Sequence, residues 1–184
     1  MNEEPDMKND TIIKPAKLAH LVLRTADKER LIGWWKTVLG MRVQHENDFL
    51  SFLTYDDEHH RLAVVEVPTM QANDRTSVGL EHIAFTYDSL DDLLATYERL
   101  KADDILPIAP VNHGMTLSLY YADPDGNQVE LQIDTATVDE ANDFMRGEVF
   151  AANPIGVGFD PDDLVSRREA GEPVDSLVAY VPQS

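Results

Sequence analysis

The feature that most constrains this chain is a doubled segment. LAHLVL (18–23) and LEHIAF (80–85) are both short apolar stretches with histidine in third place. Each runs through a polar turn into a stretch with apolar residues at helical spacing. In the first copy, KERLIGWWKTVLG (28–40) puts Leu31, Trp34, Trp35 and Val38 on one face. In the second, SLDDLLATYERLKA (89–102) does so with Leu90, Leu93, Leu94, Tyr97 and Leu100. Ser89 is placed to cap the second helix, with Asp92 in its first turn, and Gly40 to end the first. Three strand signals follow each helix: MRVQHE (41–46), FLSFLTY (49–55) and RLAVVEV (61–67), then ILPIAPV (105–111), TLSLYYA (116–122) and QVELQI (128–133). DPDGN (123–127) reads as a tight turn, in which proline fixes φ and glycine permits φ > 0. The order strand–helix–strand–strand–strand therefore occurs twice.

A sheet covered on one face by its own helix leaves the other face to be paired or filled. Two copies side by side predict an α+β fold, with two tandem βαβββ modules forming a curled eight-stranded sheet around a cup. A cup of this kind suits a small molecule or metal. The modules are read as 17–67 and 80–133, joined by a linker at 68–79. Residues 1–16 read as a flexible N-terminal tail. Residues 134–184 are a C-terminal extension with a helical pattern at 137–150. A second helix follows Asp160, with Asp160 as cap, Pro161 in the first turn and Gly171 at the end. The extension can cover either the cup or a subunit interface.

Composition narrows the function. The 184 residues carry 34 acidic and 15 basic side chains, a net charge of −19, which repels nucleic acid and anionic membranes. No apolar run approaches the length of a membrane span. The N-terminus, MNEEPDMKND, lacks the apolar segment of a secretory signal, which points to the cytoplasm. Without cysteine there are no disulfides and no thiolate chemistry, and any metal site must use nitrogen and oxygen ligands.

Strand parity then selects the ligands. In QVELQI, Val129, Leu131 and Ile133 form the apolar face, so Glu130 points to the cup between Gln128 and Gln132. An inward carboxylate is costly unless something pairs with it. His20 and His82 hold equivalent places in the two copies, and the pseudo-symmetry is expected to bring them together at the centre of the sheet. A lone strand histidine is ordinarily a hydrogen-bonded core residue; two at equivalent positions, with an inward carboxylate, favour a metal site. Two imidazoles and one carboxylate make the facial set of non-haem ferrous centres, which leaves open positions.

The doubled unit with HLVL, HIAF and DPDGNQVEL resembles the vicinal oxygen chelate superfamily, over about residues 17–133. That group includes glyoxalases, fosfomycin and bleomycin resistance proteins, and type I extradiol dioxygenases. DEHHRLAVVEV (57–67) resembles the dioxygenase segment in which a histidine pair enters a strand, and the resemblance makes His60 the acid/base histidine, on one face with Leu62, Val64 and Glu66. His113, in NHG (112–114), matches a histidine that sits close to the substrate hydroxyls. Tyr120, ten residues before Glu130, matches an active-site tyrosine and shares a polar face with Thr116 and Ser118. Read from the residues alone, His59 and His60 would be a solvated hairpin pair, His113 a turn residue, and Tyr120 and Tyr121 core tyrosines with paired hydroxyls.

The resemblance implies an Fe(II) cofactor, with Mn(II) as the alternative ion, and a catechol-type substrate cleaved with O2 beside its hydroxyls. His60 would take a hydroxyl proton, His113 would hydrogen-bond the reacting oxygens and Tyr120 would orient the ring. The family's commonest dioxygenases carry two such module pairs and this chain one, so a homodimer is expected to cover the exposed sheet edges. Glu66 argues the other way. It reads as the counterpart of Glu130, since His20 to Glu66 spans 46 residues and His82 to Glu130 spans 48. Glyoxalase-type enzymes use a carboxylate there as a fourth ligand. The alternatives are thus a glyoxalase-like lyase, an isomerase, a resistance transferase, or a non-enzymatic small-molecule binder. His45 reads as surface, and Trp34, Trp35 and Phe52 are assigned to neither core nor pocket.

Overall fold

Both copies of the repeat build the same order of elements. A computed structural model gives the fold and describes residues 12–71, 76 and 78–182. Residues 1–11 of the N-terminal tail, and 72–75 and 77 of the linker, lie outside the described residues. The first repeat is β1 (Leu21–Thr25), α1 (Lys28–Leu39), β2 (Arg42–Glu46), β3 (Leu50–Thr54) and β4 (Leu62–Glu66). The second is β5 (His82–Thr86), α2 (Leu90–Ala102), β6 (Ala109–Asn112), β7 (Thr116–Ala122) and β8 (Gln128–Asp134). The extension adds α3 (Val138–Met145), α4 (Glu148–Ala152), β9 (Val157–Gly158), α5 (Pro161–Glu169) and α6 (Val174–Leu177).

The helix ends follow their local chemistry. The Asp27 side chain accepts from the Arg30 N–H to start α1, and Gly40 stops it in the left-handed region at φ 61°. The Ser89 side chain accepts from the Asp92 N–H to start α2. In the 137–150 segment the single expected helix is split into α3 and α4. Gly147 caps α4 without a side-chain bond, whereas Thr137 and Glu140 form a reciprocal capping box on α3.

In each repeat the last strand returns beside the first and parallel to it, giving the orders β1-β4-β3-β2 and β5-β8-β7-β6-β9. The eight repeat strands do not join into one curled sheet. They form two four-stranded sheets, the second widened to five strands by β9, with β1 and β5 left as edges. The reason is where the apolar surface lies. One core unites Leu31, Trp35 and Val38 of α1 with Leu93, Tyr97 and Leu100 of α2 and the inner faces of β4, β7 and β8. The halves are thus held through their helix sides. Arg30 pairs with Asp125 at 2.7 Å, Trp35 Nε1 donates to Asp123 at 3.4 Å, and Arg99 donates to the Thr37 and Val38 carbonyls. Trp35 is therefore core, at 1% exposure.

Candidate metal and catalytic site

The site starts from the alternation of β8. Val129, Leu131 and Ile133 are buried in the core, so Glu130 is carried to the opposite face, where it is only 4% exposed. A carboxylate so far from water needs donors. His82 opens β5, the strand beside β8, and its Nε2 lies 3.0 Å from Glu130 Oε2. Tyr120 pairs with Glu130 across β7 and β8. Burial, followed by the charge and hydrogen bond of Glu130, holds its phenol well above the usual range. His113 follows β6 on a turn made by Gly114, at φ 87°. Its Nε2 lies 3.0 Å from Tyr120 Oη and 3.9 Å from Glu130 Oε1. His82, Glu130, His113 and Tyr120 thus form one cluster on the second sheet.

The remaining residues form another. His20 is exposed just before β1, and its ring centroid is 4.4 Å from that of His60. His60 also lies against Phe52 at 4.7 Å and His59 at 4.5 Å. Burial, then the neighbouring charges of His20 and His59, lowers its pKa. His60 precedes β4, so the strand's alternation does not reach it. Leu62 and Val64 face the core, and His60 stands with His20 instead. The expected meeting of His20, His82 and Glu130 within one chain does not occur. Among the described residues no three histidine or carboxylate side chains come together closely enough to hold an ion. The donor set still fits a metal in type: a buried carboxylate with an imidazole at 3.0 Å is two of the three members of a facial nitrogen–oxygen set.

Strand register resolves the place of Glu66. Two residues after His82, Ala84 pairs with Glu130; two residues after His20, Val22 pairs with Ala63. The counterpart of Glu130 is therefore Ala63. Glu66 pairs with Thr25 and lines a cleft under α1 with Lys28, Ile32 and Lys36. A one-residue difference in register puts a side chain on the other face, and Glu66 is on the helix side.

Other residues fall as follows. His45 is exposed. Tyr121 is fully buried, but its hydroxyl has no hydrogen-bond partner among the described residues. Asn112 was not singled out by its sequence pattern. It is 5% exposed, accepts from the Gly114 N–H at 2.8 Å and donates to the Val178 carbonyl at 3.0 Å. The N-x-G spacing of a side-chain-capped turn was its only signal. A cavity of about 510 Å³ lies between the start of β1 and β5, lined by Leu18, His20, Trp35, Leu62, Ile83 and Phe85. It touches neither Glu130 nor His113.

Comparison with known proteins gives consistent results. Residues 17–131 match the model of the Glyoxalase/Bleomycin resistance protein/Dioxygenase superfamily. Biphenyl-2,3-diol 1,2-dioxygenase 2 of Rhodococcus globerulus is 46% identical over 166 residues, covering 89% of this chain and 87% of that protein. Biphenyl-2,3-diol 1,2-dioxygenase 3 of the same organism is 46% identical over 164 residues, 88% of this chain and 86% of that one. A lactoylglutathione lyase of Neisseria meningitidis is 27% identical over 122 residues, 62% of this chain and 88% of its own. In fold, a glyoxylase/bleomycin resistance protein/dioxygenase domain from Frankia sp. superposes with a TM-score of 0.56 at 20% identity, covering 66% of this chain and 99% of that domain.

Proposed function

This chain belongs to the Glyoxalase/Bleomycin resistance protein/Dioxygenase superfamily, and on that footing we propose that it is an extradiol ring-cleaving dioxygenase acting on a catechol-type aromatic. The observation that carries the choice within the superfamily is Ala63. It stands where repeat symmetry would put a second carboxylate, so the chain offers a three-residue set, His20, His82 and Glu130, in place of a four-residue one. The likeness to two biphenyl-2,3-diol dioxygenases over most of the chain supports the same reading. A ferrous ion held by these three residues would supply the redox-active centre and the open positions that bring a catechol and dioxygen together. His60 takes a proton from a substrate hydroxyl. His113 Nε2 hydrogen-bonds the reacting oxygens, and Tyr120 Oη, 3.0 Å from that nitrogen, fixes the ring's orientation.

The two clusters lie on different sheets, which supports a complete site built between the two copies of a homodimer. In it, His20 and His60 of one copy meet His82, Glu130, His113 and Tyr120 of the other. The surface suits this arrangement. Strands β1 and β5 are open edges, and Leu18 (77% exposed), Val22 (51%) and Leu80 (61%) leave apolar side chains uncovered around both histidines.

The activity test is anaerobic ferrous loading followed by 2,3-dihydroxybiphenyl and oxygen. A yellow ring-opened product with oxygen uptake is expected. Absence of colour with any catechol at stoichiometric iron, or turnover of a thiohemiacetal instead, would overturn the reading. The shared site is tested by mixing. His20→Ala and Glu130→Ala are each inactive alone. Co-refolded in equal amounts, they regain about a quarter of parent activity, because half of the dimers are mixed and each of these has one intact site of two. A mixture as inactive as its components would place the ligands within one chain.

A further inference from the structure

Resting on that reading, we propose that the C-terminal arm is a clamp that positions His113, with Phe144 as its principal positioning residue. His113 sits on the β6–β7 turn, at what would otherwise be the outer edge of the sheet. The arm encloses this turn from several directions. β9 pairs with β6, placing Gly158 opposite Val111 and Val157 opposite Asn112. Gly156 passes so close that a Cβ there would lie 2.9 Å from His113 Cα. Phe144 of α3 lies against Gly114, so close that a Cβ there would clash with its ring. Asn112 donates to the Val178 carbonyl, and Thr135 Oγ1 donates to the Gly114 carbonyl at 3.0 Å.

The residues before and after His113 are thus both held by the arm, while its side chain points to Tyr120 and Glu130. The arm has its own anchor. Phe144 packs edge-on against Phe150 at 5.8 Å and Tyr180 at 5.5 Å. Arg168 of α5 makes a two-pronged pair with Asp91 of α2, at 2.6 and 2.8 Å. A glycine-bearing turn on a sheet edge would by itself be the least ordered support a catalytic imidazole could have. Covering it with a strand and an aromatic ring removes that freedom. The family model stops at residue 131, whereas the similarity to the dioxygenase 2 of Rhodococcus globerulus covers 89% of this chain's 184 residues. With only 133 residues before the arm, that coverage reaches about 30 residues into it.

The test compares Phe144→Ala and Phe144→Leu with the parent. In metal-free protein labelled with 15N-histidine, the His113 ring nitrogen reports its hydrogen bond to Tyr120. We expect that resonance to shift and broaden in Phe144→Ala and to be largely restored in Phe144→Leu. In loaded enzyme, kcat falls about 10- to 100-fold in the alanine variant, with KM changed less than threefold and iron content unchanged. If Phe144→Ala does not fold, the leucine variant carries the test, with a 3- to 10-fold loss of kcat and a smaller resonance shift. A folded alanine variant with the parent resonance and kcat within twofold overturns the clamp. So does a folded leucine variant that matches the parent in both when the alanine variant does not fold. If the parent fails to open catechols, the functional reading fails separately, and the resonance in metal-free protein still decides the clamp.

Discussion

Replacing Glu130 by glutamine separates a metal ligand from a structural ion pair. The carboxylate is 4% exposed, and His82 Nε2 lies 3.0 Å from it. Taking a carboxylate out of water costs several kcal/mol, and one imidazole and the Tyr120 hydroxyl repay only part of it. His82 keeps 36% of its side chain exposed, so water can satisfy its ring nitrogens once the carboxylate is gone. Glutamine preserves the volume and an acceptor oxygen while removing the charge. In metal-free protein the variant should therefore be more stable, by about 1–3 kcal/mol, which for a chain of this size raises Tm by about 3–9 °C. Ferrous ion at 1,000 times its Kd adds about 4.1 kcal/mol to the parent and nothing to the variant. The order of the two proteins then reverses. Calorimetry on chelator-treated protein, with and without anaerobic iron, reads both halves. A metal-free Glu130→Gln protein melting clearly below its parent would refute the reasoning, because Glu130 would then be serving the fold.

Further predictions concern packing, pH and assembly. Trp35→Phe removes the indole donor from buried Asp123 and leaves a void at a residue 1% exposed; it should cost about 1–3 kcal/mol in urea unfolding. Asp91 and Asp162 anchor the arm, and each pKa is held below its ordinary 3.8, chiefly by hydrogen bonds from Arg168 and Lys101 respectively. A depressed folded value gives stability that is present above pH 3.8 and lost as pH falls through the folded value. Hydrogen exchange in α5 should therefore accelerate below about pH 4 before the β8 core opens. Val22→Lys puts a charge on the exposed edge beside His20 and should yield monomers in sedimentation, with iron binding lost and the fold retained.

The two repeats were legible because each carries its own face pattern. Alternation in QVELQI put Val129 and Leu131 in the core and Glu130 opposite, and the structure has the same faces. The caps at Ser89 and Gly40 were legible for the same reason, since their partners lie within a few residues. How the repeats meet was not legible. Parity says which face of β1 and β5 is apolar, but nothing in either strand says which edge it will pair with. Counting along the chain misled for Glu66. The second repeat has a longer helix and a longer β7–β8 hairpin than the first, so equal spacing from the histidines does not mean equal register. The arm's contacts on Gly114 and Asn112 were invisible because they join residues 21 to 66 positions apart.

The position of Ala63 bears on more than the number of ligands. It is 2% exposed and sits between Val22 and Phe52 across the first sheet, so no polar side chain fills that place from a neighbouring strand. Glu66, the nearest carboxylate along the strand, is committed to the opposite face beside Lys28. At the place of Ala63 itself the first repeat therefore offers no carboxylate, and the imidazoles it brings together are those of His20 and, three residues before Ala63, His60. An imidazole paired with another at 4.4 Å is suited to moving protons, whereas a carboxylate at Ala63 would have closed a coordination position. In the proposed site, the carboxylate that balances a dication is Glu130. The repeats are thus symmetric in backbone and asymmetric in the carboxylate, and the proposed shared site needs one of each kind to face the other.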